Sequence, residues 1–230
     1  MSLFAISDLH LSFSCNKSMD IFHGWQNYTE RLYSNWNRLV KKDDTVILPG
    51  DISWAMRLEQ AKEDFLFLNS LPGRKILLKG NHDLWWNTLK KTNEFLIKNN
   101  FNTITLLYNN AVTVENYAVC GTRGWMYDAG EDNRIRLREA GRLKRSLEAA
   151  AATGQEPLLF LHYPPVYGEY VCEDFIKIIK EFNISTVYYG HIHGAGYNKT
   201  VTEYDNISLK LISADCIDFT PLYIPPFKKI

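Results

Sequence analysis

Apolar and polar positions alternate along this chain in two rhythms. Short apolar runs of strand length are separated by longer stretches in which apolar residues recur every three to four positions. The first rhythm predicts strands at Leu3 to Ser7, Thr45 to Leu48, Lys75 to Lys79, Thr103 to Leu107, Ala111 to Val114, Tyr117 to Cys120, Leu158 to Leu161 and Thr186 to Tyr189. The second predicts helices over about 25–40, Met56 to Ser70, about 84–98, Asp132 to Ala152 and Glu173 to Phe182. Ser208 to Ser213 and Leu222 to Ile224 read as antiparallel strands at the end of the chain. Strands alternating with helices imply an α/β architecture with layered sheets. No repeat, low-complexity tract or Gly/Ser/Pro-rich linker divides the chain, so residues 1–230 are expected to form a single domain.

The polar motifs fall at the carboxyl ends of these strands. Asp8 and His10 follow the first, Asp51 the second after Pro49-Gly50, and Asn81 and His82 the third after Gly80. His162 ends a later strand, and His191 and His193 follow Gly190 at the end of another. Ligands of α/β sheets bind beyond the carboxyl ends of the strands, and a glycine there lets the backbone turn sharply. Residues distant in sequence should therefore converge on one edge.

Composition narrows the class. The chain is 46% hydrophobic and 23% charged, which supports a packed core. Its formal net charge is zero, so it carries no global field for nucleic acid or an anionic membrane. The N-terminus lacks the basic and apolar regions of a signal peptide, and no apolar run reaches the roughly 18 residues of a spanning helix. Cys15, Cys120, Cys172 and Cys216 form no C-x-x-C pair and read as free, mostly buried thiols. A cytoplasmic location is the expectation.

Five of the six histidines lie in the strand-end loops, interleaved with Asp8, Asp51 and Asn81. A lone histidine is more often structural. Five together with two carboxylates and an amide form a nitrogen and oxygen donor set suited to Mn, Fe or Zn. Seven groups (Asp8, His10, Asp51, Asn81, His162, His191 and His193) suffice for two divalent ions if one bridges. Asp51 is the natural bridge, because its two oxygens can each face a cation. Two such ions clamp a phosphoryl group, and a water shared between them ionises and attacks phosphorus in line. His82, beside Asn81 but not needed as a ligand, is then free to act as general acid or to stabilise the transition state. Asp83 either orients the His82 imidazole or stabilises the start of a helix near Leu84.

The blocks Asp8-Leu9-His10, Gly50-Asp51, Gly80-Asn81-His82-Asp83, His162-Tyr163-Pro164-Pro165 and Gly190-His191-Ile192-His193 resemble the calcineurin-like metallophosphoesterase family in type and order. The resemblance spans residues 8 to 193 and implies a four-layer α/β/β/α sandwich with its metal site at the carboxyl ends of the strands. It implies that Asp8, His10 and His193 hold one ion, that Asn81, His162 and His191 hold the other, and that His82 is catalytic. Asp83, where the family's protein phosphatases carry glutamate, and Lys79 before Gly80 are closer to the phosphodiesterase and small bacterial phosphohydrolase branches.

The substrate side is less defined. Arg123, flanked by glycines after a strand, could grip a phosphate oxygen, and Lys79, Trp85 and Tyr163 are further candidates for substrate contact. For each, core packing or a surface ion pair is the competing reading. Trp54, Trp86 and Trp125 also follow strand ends and could wall the pocket. Residues 11–24 are long enough for an active-site flap, which could bring His23 to the site. The basic stretch from Glu131 to Arg145 reads as a solvated helix face in preference to a nucleic-acid surface, since acids interleave with its bases. Together these features describe a metal-dependent hydrolase of a small phosphodiester or phosphomonoester. A binding scaffold that has lost catalysis and a nuclease are the alternatives. The oligomeric state is not encoded in any motif.

Overall fold

A computed structural model describes residues 1–15, 17–125 and 133–226. Two sheets stack face to face. In the first, β1 (Leu3–Ala5), β2 (Thr45–Pro49), β3 (Arg74–Leu78) and β4 (Ile104–Leu106) run parallel, and β13 (Leu222–Ile224) closes the edge antiparallel to β1. In the second, β6 (Tyr117–Thr122), β7 (Glu156–Leu161), β10 (Thr186–Tyr189) and β12 (Ile207–Leu211) are parallel. Here β5 (Val112–Val114) and β11 (Glu203–Tyr204) form antiparallel edges. A separate two-stranded hairpin, β8 (Val166–Tyr167) with β9 (Tyr170–Val171), has no counterpart in the apolar pattern because each strand is only two residues long.

Three buried clusters make four layers. Leu3, Ala5, Ile47 and Ile76 of the first sheet meet Val119, Phe160 and Tyr188 of the second. The alternate residues Phe4, Val46, Leu48 and Leu77 face outward onto α1 (Tyr28–Leu39), α2 (Lys62–Ser70) and α3 (Leu89–Lys98) through Leu32, Trp36, Phe65 and Leu96. Ala118, Cys120, Leu159 and Val187 do the same with Leu143 and Leu147 of α4 (Asn133–Ala151) and Phe175 and Ile179 of α5 (Glu173–Glu181). Because both faces of each sheet are covered, the central strands read as continuous apolar runs. The layering is the α/β/β/α sandwich implied by the sequence resemblance.

The terminal strands depart from expectation. β12 and β13 lie in different sheets, and β12 is parallel to β10 and antiparallel only to β11. Two helices also start later than their apolar spacing suggests. α2 begins at Lys62, after a series of tight turns from Met56. α3 begins at Leu89, capped by the Thr88 hydroxyl, which accepts from Lys91 N–H at 3.3 Å. The residues between are diverted inward, where Trp85 and Trp86 are buried. Asp132, the expected first residue of α4, lies outside the described residues.

The sheets are joined where the site forms. Ser7 N–H donates to Ile212 O at 2.8 Å, and Ala214 N–H donates to Ser7 O at 2.9 Å, so the end of β1 is spliced to the end of β12. Both sheets thereby present their carboxyl ends to one crevice. No helix among the described residues is long and apolar enough to cross a membrane. Cys120 and Cys172 are buried, Cys15 is half-buried and Cys216 is exposed, all as free thiols.

Candidate metal centre

Each strand end delivers its ligands through a sharp reversal of the backbone. Asp8, His10, Asp51 and His191 all have positive φ, at 59°, 46°, 50° and 71°. Non-glycine residues are uncommon in this region, and such strain clusters at functional sites. The turns are held by backbone bonds between loops: Asp8 N–H to Gly50 O and His10 N–H to Asp51 O, both at 3.0 Å. Glycine is required beside them by close approach. A Cβ on Gly80 would lie 2.1 Å from Asp51 Oδ1, and one on Gly190 would lie 2.2 Å from Asp8 Oδ2.

The side chains gather into two sets. Asp8, His10 and His193 place one donor atom each within 4.8 Å of one another, and Asp51, His162 and His191 do the same. Within the first set, His10 Nε2 faces His193 Nε2 at 3.4 Å, and Asp8 Oδ1 lies 3.5 Å from His193 Nε2. Asn81 joins the second set: its Oδ1 is 2.6 Å from His162 Nε2 and 3.0 Å from His191 Nδ1. Asp51 sits between the sets, with Oδ2 3.5 Å from His162 Nε2 and 3.9 Å from His10 Nε2. Its Oδ1 is turned away to accept the His82 backbone N–H at 2.8 Å. One oxygen of Asp51 therefore faces both sets, where the sequence reading expected each oxygen to face one ion.

The electrostatics favour cations. Asp8 and Asp51 are buried at 0% and 1% exposure. Burial opposes charge on Asp8, but the His193 hydrogen bond and the nearby imidazoles hold its carboxyl well below the usual range. Burial, with Asp83 and Asp8 close by, drives the Asp51 carboxyl well above it. Burial keeps His10 neutral and lowers His162 to about 3, leaving imidazole lone pairs available. The His162 tautomer is set by Nδ1–H, which donates to Pro49 O at 3.1 Å and frees Nε2. Burial also opposes charge on His193, but its bonds to Asp215 and Asp8 raise this imidazole to about 10, so a cation bound there displaces a proton. Buried oxygen and nitrogen donors without thiolate are the set divalent Mn, Fe or Zn prefers.

Asp215 is a member of the site that sequence reading missed. Its Oδ1 lies 2.7 Å from His193 Nδ1, leaving Nε2 directed into the first set. It follows β12 as the other site residues follow their strands, so the strand-end rule applied to Ser213-Ala214-Asp215 would have found it. Ser213 Oγ–H donates to Asp8 Oδ2 at 3.0 Å.

His82 belongs to neither set. Its ring is half-buried, 4.5 Å from Trp54 and 5.7 Å from His10 between centroids. It lines a cavity of about 440 Å³ together with His10, His193, Met19, Phe22 and Trp54. His23 and Trp25 also border this cavity, so residues from the 11–24 segment flank the site. That segment is tied down where Phe13 N–H donates to Asp64 Oδ1 at 2.8 Å. Lys17 Nζ lies 4.2 Å from the Trp54 ring centre.

Asp83 has a different task from both expected ones. Its Oδ1 accepts from Ile52 N–H at 2.9 Å, Ser53 N–H at 3.3 Å and Trp85 Nε1–H at 2.9 Å. Its Oδ2 accepts from Gly80 N–H at 2.8 Å. It does not hold the His82 imidazole, and no helix starts beside it. It ties the Asp51 loop to the Asn81 loop, and burial pushes its carboxyl up to about 6.

The four substrate candidates separate. Trp85 is core, packed edge-on against Phe65. Tyr163 packs its ring 4.3 Å from that of His191. Lys79 and Arg123 meet in a second cavity that none of the seven candidate ligands lines. Of the tryptophans, Trp54 and the unforeseen Trp25 wall the site, whereas Trp86 and Trp125 are buried in packing.

Several solved structures share this fold. AQ665 of Aquifex aeolicus matches with a TM-score of 0.54 at 16% identity, covering 96% of this chain and 95% of that one. TT1561 of Thermus thermophilus matches at 0.57 and 14% identity, covering 92% and 88%. Phosphopantetheinyl hydrolase (PptH) of Mycobacterium tuberculosis matches at 0.51 and 16% identity, covering 98% and 96%. No curated protein matches the sequence. The family model of the calcineurin-like phosphoesterases matches residues 1–195, and with the two ligand sets spread over that span, the chain belongs to this family.

Proposed function

We propose that the protein is a dinuclear-metal phosphohydrolase that acts on a small phosphodiester or phosphomonoester. The observation that carries this reading is Asp51 Oδ2, which faces His10 of one ligand set and His162 of the other. Asp8, His10 and His193 would hold one divalent ion, and Asn81, His162 and His191 the second, with Asp51 shared. Such ions, when bound, neutralise phosphoryl charge and acidify water. The completeness of both sets supports an enzyme over an inert scaffold.

The chain's own residues divide the remaining work. A ring nitrogen of His82 gives its proton to the leaving oxygen. Burial lowers the pKa of this imidazole, which makes its protonated form a stronger acid and places its donor role toward the acidic side of neutral pH. Trp54, 4.7 Å from the His10 ring and 4.5 Å from that of His82, limits the tilt of both. Met19, Phe22, Trp25 and Trp54 give the cavity an apolar wall that excludes water from the leaving group.

The test is hydrolysis of an aryl phosphomonoester and an aryl phosphodiester by protein reconstituted with Mn, Fe or Zn, alongside a metal count. Two ions per chain and metal-dependent turnover are expected. His82→Ala should lower turnover by about 10²–10⁴-fold while both ions remain bound. Full activity in purified Asp51→Asn would overturn the bridging role.

A further inference from the structure

A second cavity, sharing no lining residue with the first, lies beside the strand that leads to Asn81. It measures about 260 Å³ and opens between the ends of β3, β4 and β6 and the α4 helix. Its charged lining is Lys79, Arg123, Arg138, Arg142 and Glu139. Glu139 is fully buried, and each of its oxygens is taken. Oε2 accepts from Thr122 Oγ1–H at 2.8 Å, and Oε1 accepts from Arg142 Nη1 at 2.5 Å and Arg123 Nη2 at 3.4 Å. The carboxylate thus fixes two guanidinium groups at the wall.

Among the described residues, the remaining cations have no counter-charge of their own. Lys79 and Arg138 form no ion pair among the described residues. Arg123 Nε–H is buried without a hydrogen-bond partner among the described residues. The basic helix face read from the sequence is therefore not uniform. Arg136 and Lys144 pair with Asp174 and Glu181 of α5 at 2.9 Å and 2.7 Å, whereas Arg138 and Arg142 turn to the cavity. Four cations around one carboxylate in a confined space repel one another. Arginine forks match the oxygen geometry of a phosphoryl group, and a buried carboxylate behind them holds that geometry ready.

We propose that this cavity is a phosphoryl-binding site, in which Lys79, Arg123, Arg138 and Arg142 receive a phosphate dianion distinct from the one hydrolysed. Two connections link it to the metal centre. Lys79 leads through Gly80 to Asn81, and the Arg123 carbonyl accepts the His162 N–H at 3.1 Å. The dianion is either a second phosphate on the substrate, which rests on the phosphohydrolase reading, or free inorganic phosphate.

The experiment uses the full metal-loaded chain and its Lys79→Met/Arg138→Glu variant, both checked for folding by circular dichroism. Arg138 is exposed and Lys79 is unpaired among the described residues, so neither change removes an ion pair seen there. Arg138→Gln serves if the double variant does not fold. Calorimetric titration with inorganic phosphate is expected to show one more phosphate per wild-type chain than per variant chain. In parallel, kcat/KM is measured for α,ω-alkanediol bisphosphates of increasing length and for the matching alkyl monophosphates. If the dianion is part of the substrate, the bisphosphate-to-monophosphate ratio falls about tenfold or more in the variant, the size of one charge-assisted hydrogen bond. A change in the titration alone assigns the site to free phosphate. Equal stoichiometry and equal ratios overturn the proposal. Should wild-type protein hydrolyse neither series, the phosphohydrolase reading fails while the titration still decides the cavity.

Discussion

Asp215 Oδ1 lies 2.7 Å from His193 Nδ1, on the side of the imidazole opposite Asp8. A carboxylate in this position fixes the ring's orientation and raises the basicity of the other nitrogen. Asp215→Asn is expected to weaken binding at the first ligand set by about 10–100-fold, the usual cost of losing such a partner. Titration of metal-free protein with Zn or Mn would show one weakened site and one unchanged. Two unchanged affinities would remove Asp215 from the metal centre.

The Asp83 carboxylate accepts four N–H groups from the two loops it joins. Asp83→Ala would leave buried donors unpaired, at about 1–3 kcal/mol for each one that cannot find water. Urea denaturation should show a loss of at least that order. His82→Ala, by contrast, removes no hydrogen bond of its ring and should leave the urea midpoint nearly unchanged. Similar midpoints for the two variants would contradict the structural role of Asp83.

Gly80 sits where a Cβ would be 2.1 Å from Asp51 Oδ1 and 2.2 Å from Asp51 N. Gly80→Ala must therefore displace the Asp51 loop or the Asn81 loop. A drop below two ions per chain in a folded Gly80→Ala protein is the expected result, read by elemental analysis. Retention of both ions at wild-type affinity would show that the loops can separate at no cost.

Lys75 is fully buried, and its ammonium donates to Leu71 O at 2.6 Å and Gly73 O at 2.9 Å. Burial lowers its pKa from 10.5 to about 8. Between these two values the unfolded chain binds more protons at this position, so the group's contribution to stability rises with pH. Relative to Lys75→Met, wild-type protein should gain stability from about pH 8 to about pH 10.5. Paired denaturation curves across that range would test it, and a difference that stays flat or falls would rule out the buried ammonium.

Much of this molecule was legible in one dimension because burial imposes a period. Central strands covered on both faces appear as unbroken apolar runs such as Thr45 to Leu48, and the helices on them repeat at three to four residues. The seven candidate ligands were legible for a related reason: a parallel sheet places every strand end on one edge, so residues such as Asp8 and His191 converge although they are far apart in sequence. The hairpin β8–β9 and edge strand β11 carry too few residues for a period, and nothing local tells β12 which neighbour it pairs with.

What the sequence alone determined is the set of candidate donors, their order and the layered sheets that gather them. Tertiary structure decided how those donors are used, because hydrogen bonds and charge pairing depend on which loops meet. Contacts across the crevice turned Asp51 Oδ1 to His82 and left Oδ2 facing both ligand sets. They gave Asp83 to the loop backbones in place of the imidazole and recruited Asp215 from the last quarter of the chain. They also sent Trp85 to the core and moved Lys79 and Arg123 out of the metal pocket into a cavity with Arg138 and Arg142. A residue type states what chemistry is possible; only the neighbours that bury it, pair it or leave it unpaired select which chemistry it performs.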